Sequence, residues 1–364
     1  MKRVVMTLTG IRPDFIRMSE VFRKLDSSKY LDHILVHSGQ HYDKMLSDVF
    51  FDELEIRKPD FNLNIGASGR EHFNQVNVLS IEIIDLLRFG KCPKPDIILF
   101  LGDSNSALAS IPLRKEGYRI GHIEAGMRSY DMNMPEEINR ICCDQMCDFL
   151  FAYHKNYEEK LIAENIPPNK IHVVGNTIVE VVNQFLPKMH LNPKKLDKIL
   201  VDIHRPENIK SPQNLQNILD FANDCAVRFQ LPIQMISFGR TRTAIENAEL
   251  NMRWVKWVPL MSYQQYLQAQ YDSVFMISDS GTAQEEPALL NTPVVVPRIS
   301  TERPESVKYG CSKMLNVQTA WNGSWRDCLN WLDSMKTVNF IARTDWLGNG
   351  NTSERIVSIL ETLL

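Results

Sequence analysis

Residues 121–140, GHIEAGMRSYDMNMPEEINR, gather the chain's most suggestive chemistry. Glu124 closes an apolar run, Tyr118 to Ile123, and abuts Ala125-Gly126. A second acidic site opens at Pro135-Glu136-Glu137, and Arg128 and Arg140 trail the two. A carboxylate that terminates a buried strand needs a partner or a function. Glu136 and Glu137 follow a proline at a helix start, where the macrodipole alone favours acidic residues. Two carboxylates on either side of one loop could also act as an acid and base pair.

Similar residues recur at other junctions. LFLGDSNSA puts Asp103 between a strand and a helix, as an N-cap or as a reacting carboxylate. DIHRPEN puts His204 and Arg205 at a strand end, where a lone histidine can be structural or catalytic. DSGTAQEE reads as strand, tight turn and helix. The amides of Ser280, Gly281 and Thr282 would then face a phosphate at a helix N-terminus. Glu286, one helical turn on, either reaches a ribose diol or faces solvent. Arg12 and Arg17 offer guanidinium forks suited to a diphosphate, if they are not simply solvated.

The elements that must position these groups alternate. VVMTLT (4–9), HILVHS (33–38), DIILFLG (96–102), RIGHIEA (119–125), FLFAY (149–153) and KIHVVG (170–175) are short, nearly continuous apolar runs. Such runs suit strands buried on both faces of a parallel sheet. Phe15, Met18, Phe22 and Leu25 share one helical face. A second series holds KILVDI (198–203), PIQMISF (232–238), SVFMISDS (273–280) and PVVVPR (293–298). The Pro- and Lys-rich stretch 186–198 separates the series, so a domain boundary is expected there. The expected fold is α/β, with two doubly wound domains whose ligands bind beyond the carboxyl ends of the strands.

Composition narrows the function. The chain has 364 residues, is 44% hydrophobic and carries a formal charge of -3. That charge gives no global attraction to nucleic acid, so an anionic ligand must be held by local groups. No apolar run approaches a membrane span. The N-terminal apolar run of about six residues is too short for a signal-peptide core. A cytoplasmic protein is expected, and seven cysteines suit a reducing compartment. Cys142, Cys143 and Cys147 read as helix packing rather than as zinc ligands. The P-loop, dinucleotide, G-x-S-x-G and H-E-x-x-H signatures are all missing from the sequence. No cofactor and no metal is expected.

TGIRPDFIRMS, SGQHYDKML, LFLGDSNSALA, GHIEAGMRS, MPEEINR, VVGNTIVEVV, HRPEN, SDSGTAQEE and STERPES occur in that order between residues 7 and 309. Together they resemble the non-hydrolysing UDP-N-acetylglucosamine 2-epimerases. The resemblance implies a GT-B-like fold: two Rossmann-like domains, residues 1–186 joined by a C-terminal helix (351–364), and 187–350, with the active site in the cleft between them. It implies inversion at C2 of a UDP-linked 2-acetamido sugar by elimination of UDP to a glycal and re-addition, in the supply of surface polysaccharide precursors. It makes Asp103, Glu124 and Glu136 the carboxylate set. His204 and Arg12 then attend the diphosphate, and Arg17 lies near the sugar. Arg140 and Arg205 also fall in the matched motifs as binding residues. Ser280, Gly281, Thr282 and Glu286 would hold phosphate and ribose. A UDP-sugar is the expected partner and a homodimer the expected assembly. Asp43 and Phe238-Gly239 fall at positions of the family's activating pocket but depart from its usual residues, so hyperbolic kinetics without an activator are expected.

Overall fold

The computed structural model describes residues 2–39, 48–68, 71–90, 92–191, 196–337 and 340–364. Asp43 lies outside them. The chain divides into two compact units, Met1–Val181 with Leu347–Leu364, and Val182–Trp346. Among the described residues, no helix is long and apolar enough to cross a membrane.

The first unit is built on seven strands: β1 (Arg3–Thr9), β2 (Leu31–His37), β3 (Phe61–Asn62), β4 (Ile97–Leu101), β5 (Ile120–Ala125), β6 (Phe149–Ala152) and β7 (Ile171–Val173). All pairings are parallel, in the order β3-β2-β1-β4-β5-β6-β7. The order reverses between β1 and β4, so the loops after Thr9 and Leu101 flank a crevice-forming switch point. Every residue of β4 and β5 is buried, which is why both read as unbroken apolar runs. The helix Arg12–Ser27 buries Phe15, Met18, Phe22 and Leu25, the face that the spacing predicts.

The helix Thr352–Leu363 packs on that same helix. Lys24 pairs with Glu354 at 2.8 Å, and Ser28 donates to Glu361 at 2.6 Å. Glu180 accepts from the Ser353 hydroxyl and amide. At the return point Gly175 has φ +92°, and a Cβ there would lie 2.9 Å from the Thr352 hydroxyl. Glycine meets both the left-handed backbone and the close approach.

The second unit holds β8 (Lys198–Asp202), β9 (Ile233–Ile236), β10 (Val255–Val258), β11 (Ser273–Ser278), β12 (Val294–Val296) and β13 (Ser312–Met314). Their order is β10-β9-β8-β11-β12-β13, again parallel. Its switch point lies between β8 and β11, whose following loops carry His204 and Ser280. Phe221, Phe275 and Trp325 anchor a core between this sheet and its helices. β3, β10 and β13 do not stand out in the sequence. They are two to four residues long and lie at sheet edges, with no residue of β3 and one residue each of β10 and β13 buried.

Candidate active site

The first unit's crevice is assembled from three strand ends. At β1, Asp14 is the third residue of the following helix and accepts from the amides of Gly10 at 2.8 Å and Ile11 at 3.1 Å. Burial pushes its carboxyl up to about 6, against those two amides. Arg12, two residues earlier and half-buried, lies with its guanidinium 5.0 Å from the Phe50 ring centre.

β5 ends irregularly. Its register against β6 slips between Ile123 and Ala125, and Glu124 has φ +77°. A non-glycine residue held there costs roughly 1–3 kcal/mol, and such strain gathers at functional sites. Glu124 is fully buried and ion-paired with Arg17, which is also buried. Gly126, at φ +79°, continues the turn, and a Cβ there would come 2.5 Å from the Tyr157 carbonyl oxygen. The loop after β4 runs alongside. A Cβ on Gly102 would lie 3.6 Å from Arg17 Nη1 and 3.7 Å from Glu124 Oε2. A helix and two strand ends therefore converge on one carboxylate.

Asp103 follows Gly102 and keeps 21% of its side chain exposed. It pairs with Arg140 from the helix Pro135–Met146. Arg140 is fully buried and also binds Glu137 at 3.0 Å. Glu137 accepts from the amides of Ser129 and Tyr130 at 2.9–3.0 Å. The adjacent acidic residues thus separate. Glu137 is buried, tying the loop to its helix, while Glu136 is half-buried in the first helical turn. Arg140, expected among the binding residues, sits beneath Asp103 as its counter-ion.

The second unit presents the other expected group. His204 Nδ1 bonds Asp202 at 2.9 Å, and its amide donates to Asp279 at 3.0 Å. Asp279 also accepts from the Arg205 amide and the Asn208 side chain. The Tyr266 hydroxyl donates to Asp202. Burial pulls the imidazole down, but Asp202, and then Asp279, outweigh it and hold His204 above its ordinary value. The Phe238 ring lies 5.2 Å from the imidazole.

The turn after β11 differs from expectation. Thr282–Gln284 is a single 3-10 turn, and a separate four-residue helix runs from Glu286 to Leu289. Pro287 has no amide to donate, so it stands in that helix's first turn rather than within a longer one. Ser280 and Thr282 share a hydroxyl contact at 3.2 Å. Glu286 is buried rather than solvent-facing, accepting from Tyr263 at 2.8 Å and Gln270 at 2.9 Å. Burial pushes its carboxyl up to about 7.

Gly281 has an ordinary backbone, and its lack of a side chain serves packing. A Cβ would lie 2.5 Å from Arg303 Nη1 and 2.9 Å from Glu302 Oε1. Those two residues form an ion pair in a buried network. Glu302 also binds Arg298 at 2.8 Å and lies 3.5 Å from Arg205, while Arg303 reaches Glu285 at 2.9 Å. Single residues in STERPES gave no sign of this network, since charged residues there look solvated. Asp14, Glu137, Asp202 and Asp279 were likewise indistinguishable from helix caps and surface acids. Among the described residues, no group of three histidine, cysteine or acidic side chains is placed to hold a metal.

The sequence pattern of the family described as UDP-N-acetylglucosamine 2-epimerase matches residues 23–361. The chain belongs to that family. Its members include a UDP-N-acetylglucosamine 2-epimerase of Methanococcus maripaludis, 34% identical over 97% of both chains. A UDP-2,3-diacetamido-2,3-dideoxy-D-glucuronate 2-epimerase of Pseudomonas aeruginosa is 31% identical over 99% of both. The Methanocaldococcus jannaschii UDP-GlcNAc 2-epimerase, solved with UDP-GlcNAc and UDP, superposes with a TM-score of 0.88 at 31% identity, covering 99% of each chain. The two parallel sheets are the two Rossmann-like domains of that GT-B-like fold.

Proposed function

We propose that this epimerase inverts C2 of a UDP-linked 2-acetamido sugar, with UDP-N-acetylglucosamine to UDP-N-acetylmannosamine as the default reaction. The observation that carries the reading is Glu124: buried, at positive φ, on Arg17, beside the loop that presents Asp103. The C2 hydrogen of such a sugar is not acidic, because no ring carbonyl is adjacent. Proton exchange becomes accessible if UDP leaves with the C1–O bonding pair as a carboxylate takes the C2 proton. The product is a glycal with a C1–C2 double bond. UDP oxygen then adds back to C1 while a second group delivers a proton to the opposite face of C2. In this assignment Asp103, Glu124 and Glu136 supply the acid and base positions. Arg17 offsets charge at the sugar. His204, whose imidazole Asp202 holds above its ordinary value, and Arg12 attend the diphosphate. Ser280, Gly281 and Thr282 face phosphate, and Glu286 the ribose.

The reaction in heavy water tests this reading. The product should carry deuterium at C2, visible as loss of that proton's NMR signal. Retention of the original hydrogen would point to hydride chemistry, and release of free N-acetylmannosamine to hydrolysis. The Pseudomonas relative, named for a diacetamido uronate and as similar as the jannaschii enzyme, supports including UDP-2,3-diacetamido uronic acids in the substrate panel.

A further inference from the structure

His122 lies two residues before Glu124, fully buried. Its two ring nitrogens face different groups. Nδ1 is 2.6 Å from Asp144 Oδ1, and Nε2 is 2.8 Å from the Gly102 carbonyl oxygen. A carbonyl can only accept. Arg128, 2.7 Å from the other oxygen of Asp144, and the Gly126 amide, which donates to that oxygen at 3.1 Å, favour its ionised form. Both ring nitrogens therefore donate, and only the imidazolium donates from both.

We propose that His122 is a permanently charged positioning residue that locks the three carboxylate-bearing segments into one register. Through Gly102 it fixes the residue before Asp103. Through Asp144 it fixes the helix that carries Glu136 and, by way of the Gly126 amide, the turn that follows Glu124. This inference rests on the reaction proposed above, since the segments matter only if their carboxylates react.

Charge balance agrees. Asp14, Asp103, Glu124, Glu137, Asp144 and Glu164 gather around Arg17, Arg128 and Arg140. A fourth cation reduces the excess of negative charge in a region of low dielectric. The groups facing the ring are Asp144 and Cys143 from the helix and the Gly102 carbonyl from the loop. Burial would neutralise the imidazole, but Cys143 and Asp144 raise it well above its ordinary value.

The test begins with wild-type protein labelled with nitrogen-15 in histidine. Both His122 ring nitrogens should stay protonated from about pH 6 to 9, a range in which an ordinary histidine deprotonates. A ring that becomes neutral in that range overturns the proposal. His122→Gln and Asp144→Asn then probe position. Each should lower kcat by roughly a hundredfold, the scale of a 1 Å misplacement, with KM within about twofold. The conservative Arg128→Lys, which leaves the histidine contacts intact, should cost far less kcat. A folded His122→Gln enzyme with normal kcat overturns the positioning role. Wild-type protein that turns over no UDP-2-acetamido sugar would overturn the proposed reaction instead, and the nitrogen spectra would still decide the charge.

Discussion

Replacing Arg17 by Met and Glu124 by Gln, singly and together, separates what the pair at the end of β5 does for stability from what it does for chemistry. Both side chains are buried, at 6% and 0% exposure. Removing one partner of a buried pair leaves the other charge uncompensated, at a cost of about 3–5 kcal/mol. Replacing both with uncharged groups is neutral to stabilising by about 1–4 kcal/mol. The first unit has roughly 200 residues, a size at which 1 kcal/mol moves Tm by about 2–4 °C. Each single variant should therefore melt roughly 6–20 °C lower, and the double variant should return to within a few degrees of the parent. Turnover should behave differently. Glu124→Gln and the double variant should both lose at least about a hundredfold in rate, the usual acid/base contribution. Calorimetry on the three variants, with NMR turnover assays beside it, gives a coupling energy and its functional cost together. Additive losses, with the double variant the least stable, would refute the reasoning. So would a Glu124→Gln protein as stable and as active as the parent.

Glu136→Gln should lower turnover about a hundredfold while Tm stays close to the parent's, whereas Glu137→Gln should chiefly lower Tm, because Arg140 and the Ser129 and Tyr130 amides lose their anion. Equal Tm losses in the two would erase the distinction. For His204, Asp202 raises the imidazole, so its charge persists above the ordinary histidine range and is lost as pH rises through the raised value. The alkaline limb of kcat/KM should move to lower pH in Asp202→Asn, and an unmoved limb would show that His204 charge is not used. Gly281→Ala pushes a methyl into the Arg303–Glu302 pair, an overpacking cost of about 1–3 kcal/mol. If that cost falls on the phosphate-binding conformation, UDP affinity should drop roughly 5- to 150-fold by calorimetric titration; unchanged affinity would count against a phosphate role for this turn.

The strands with two buried faces were legible because continuous apolar runs between turn residues have few other uses. The positions after them were legible because parallel sheets place ligands at carboxyl ends. Glu124 could be singled out, since a charge ending an apolar run needs a reason. Its positive φ could not, because glutamate has no left-handed preference and the bulge depends on β6. The division of labour between Glu136 and Glu137 was also hidden. Adjacent helical residues point about a hundred degrees apart, and only packing decides which one turns inward. His122 reads as one more residue of a buried strand, and its significance comes from a carbonyl 20 residues earlier and a carboxylate 22 residues later. The short 3-10 turn after Ser280 follows from Pro287, which was visible, but its consequence for the length of the helix needed the backbone.

The return of the last helix to the first unit has a consequence for how the chain is made. Val182–Trp346 is an insertion of 165 residues between the two segments of that unit. At about 5–20 residues per second, a ribosome needs roughly 10–30 s to traverse it. During that interval the first seven strands exist without Ser353, Glu354 and Glu361, the partners of Glu180, Lys24 and Ser28. The apolar face that Ile356, Val357 and Leu360 later cover is without its lid as well. The inserted unit, encoded without interruption, can complete its own sheet first. The polypeptide that begins folding earliest is thus the one that finishes last, and a nascent-chain chaperone would meet it with one flank open.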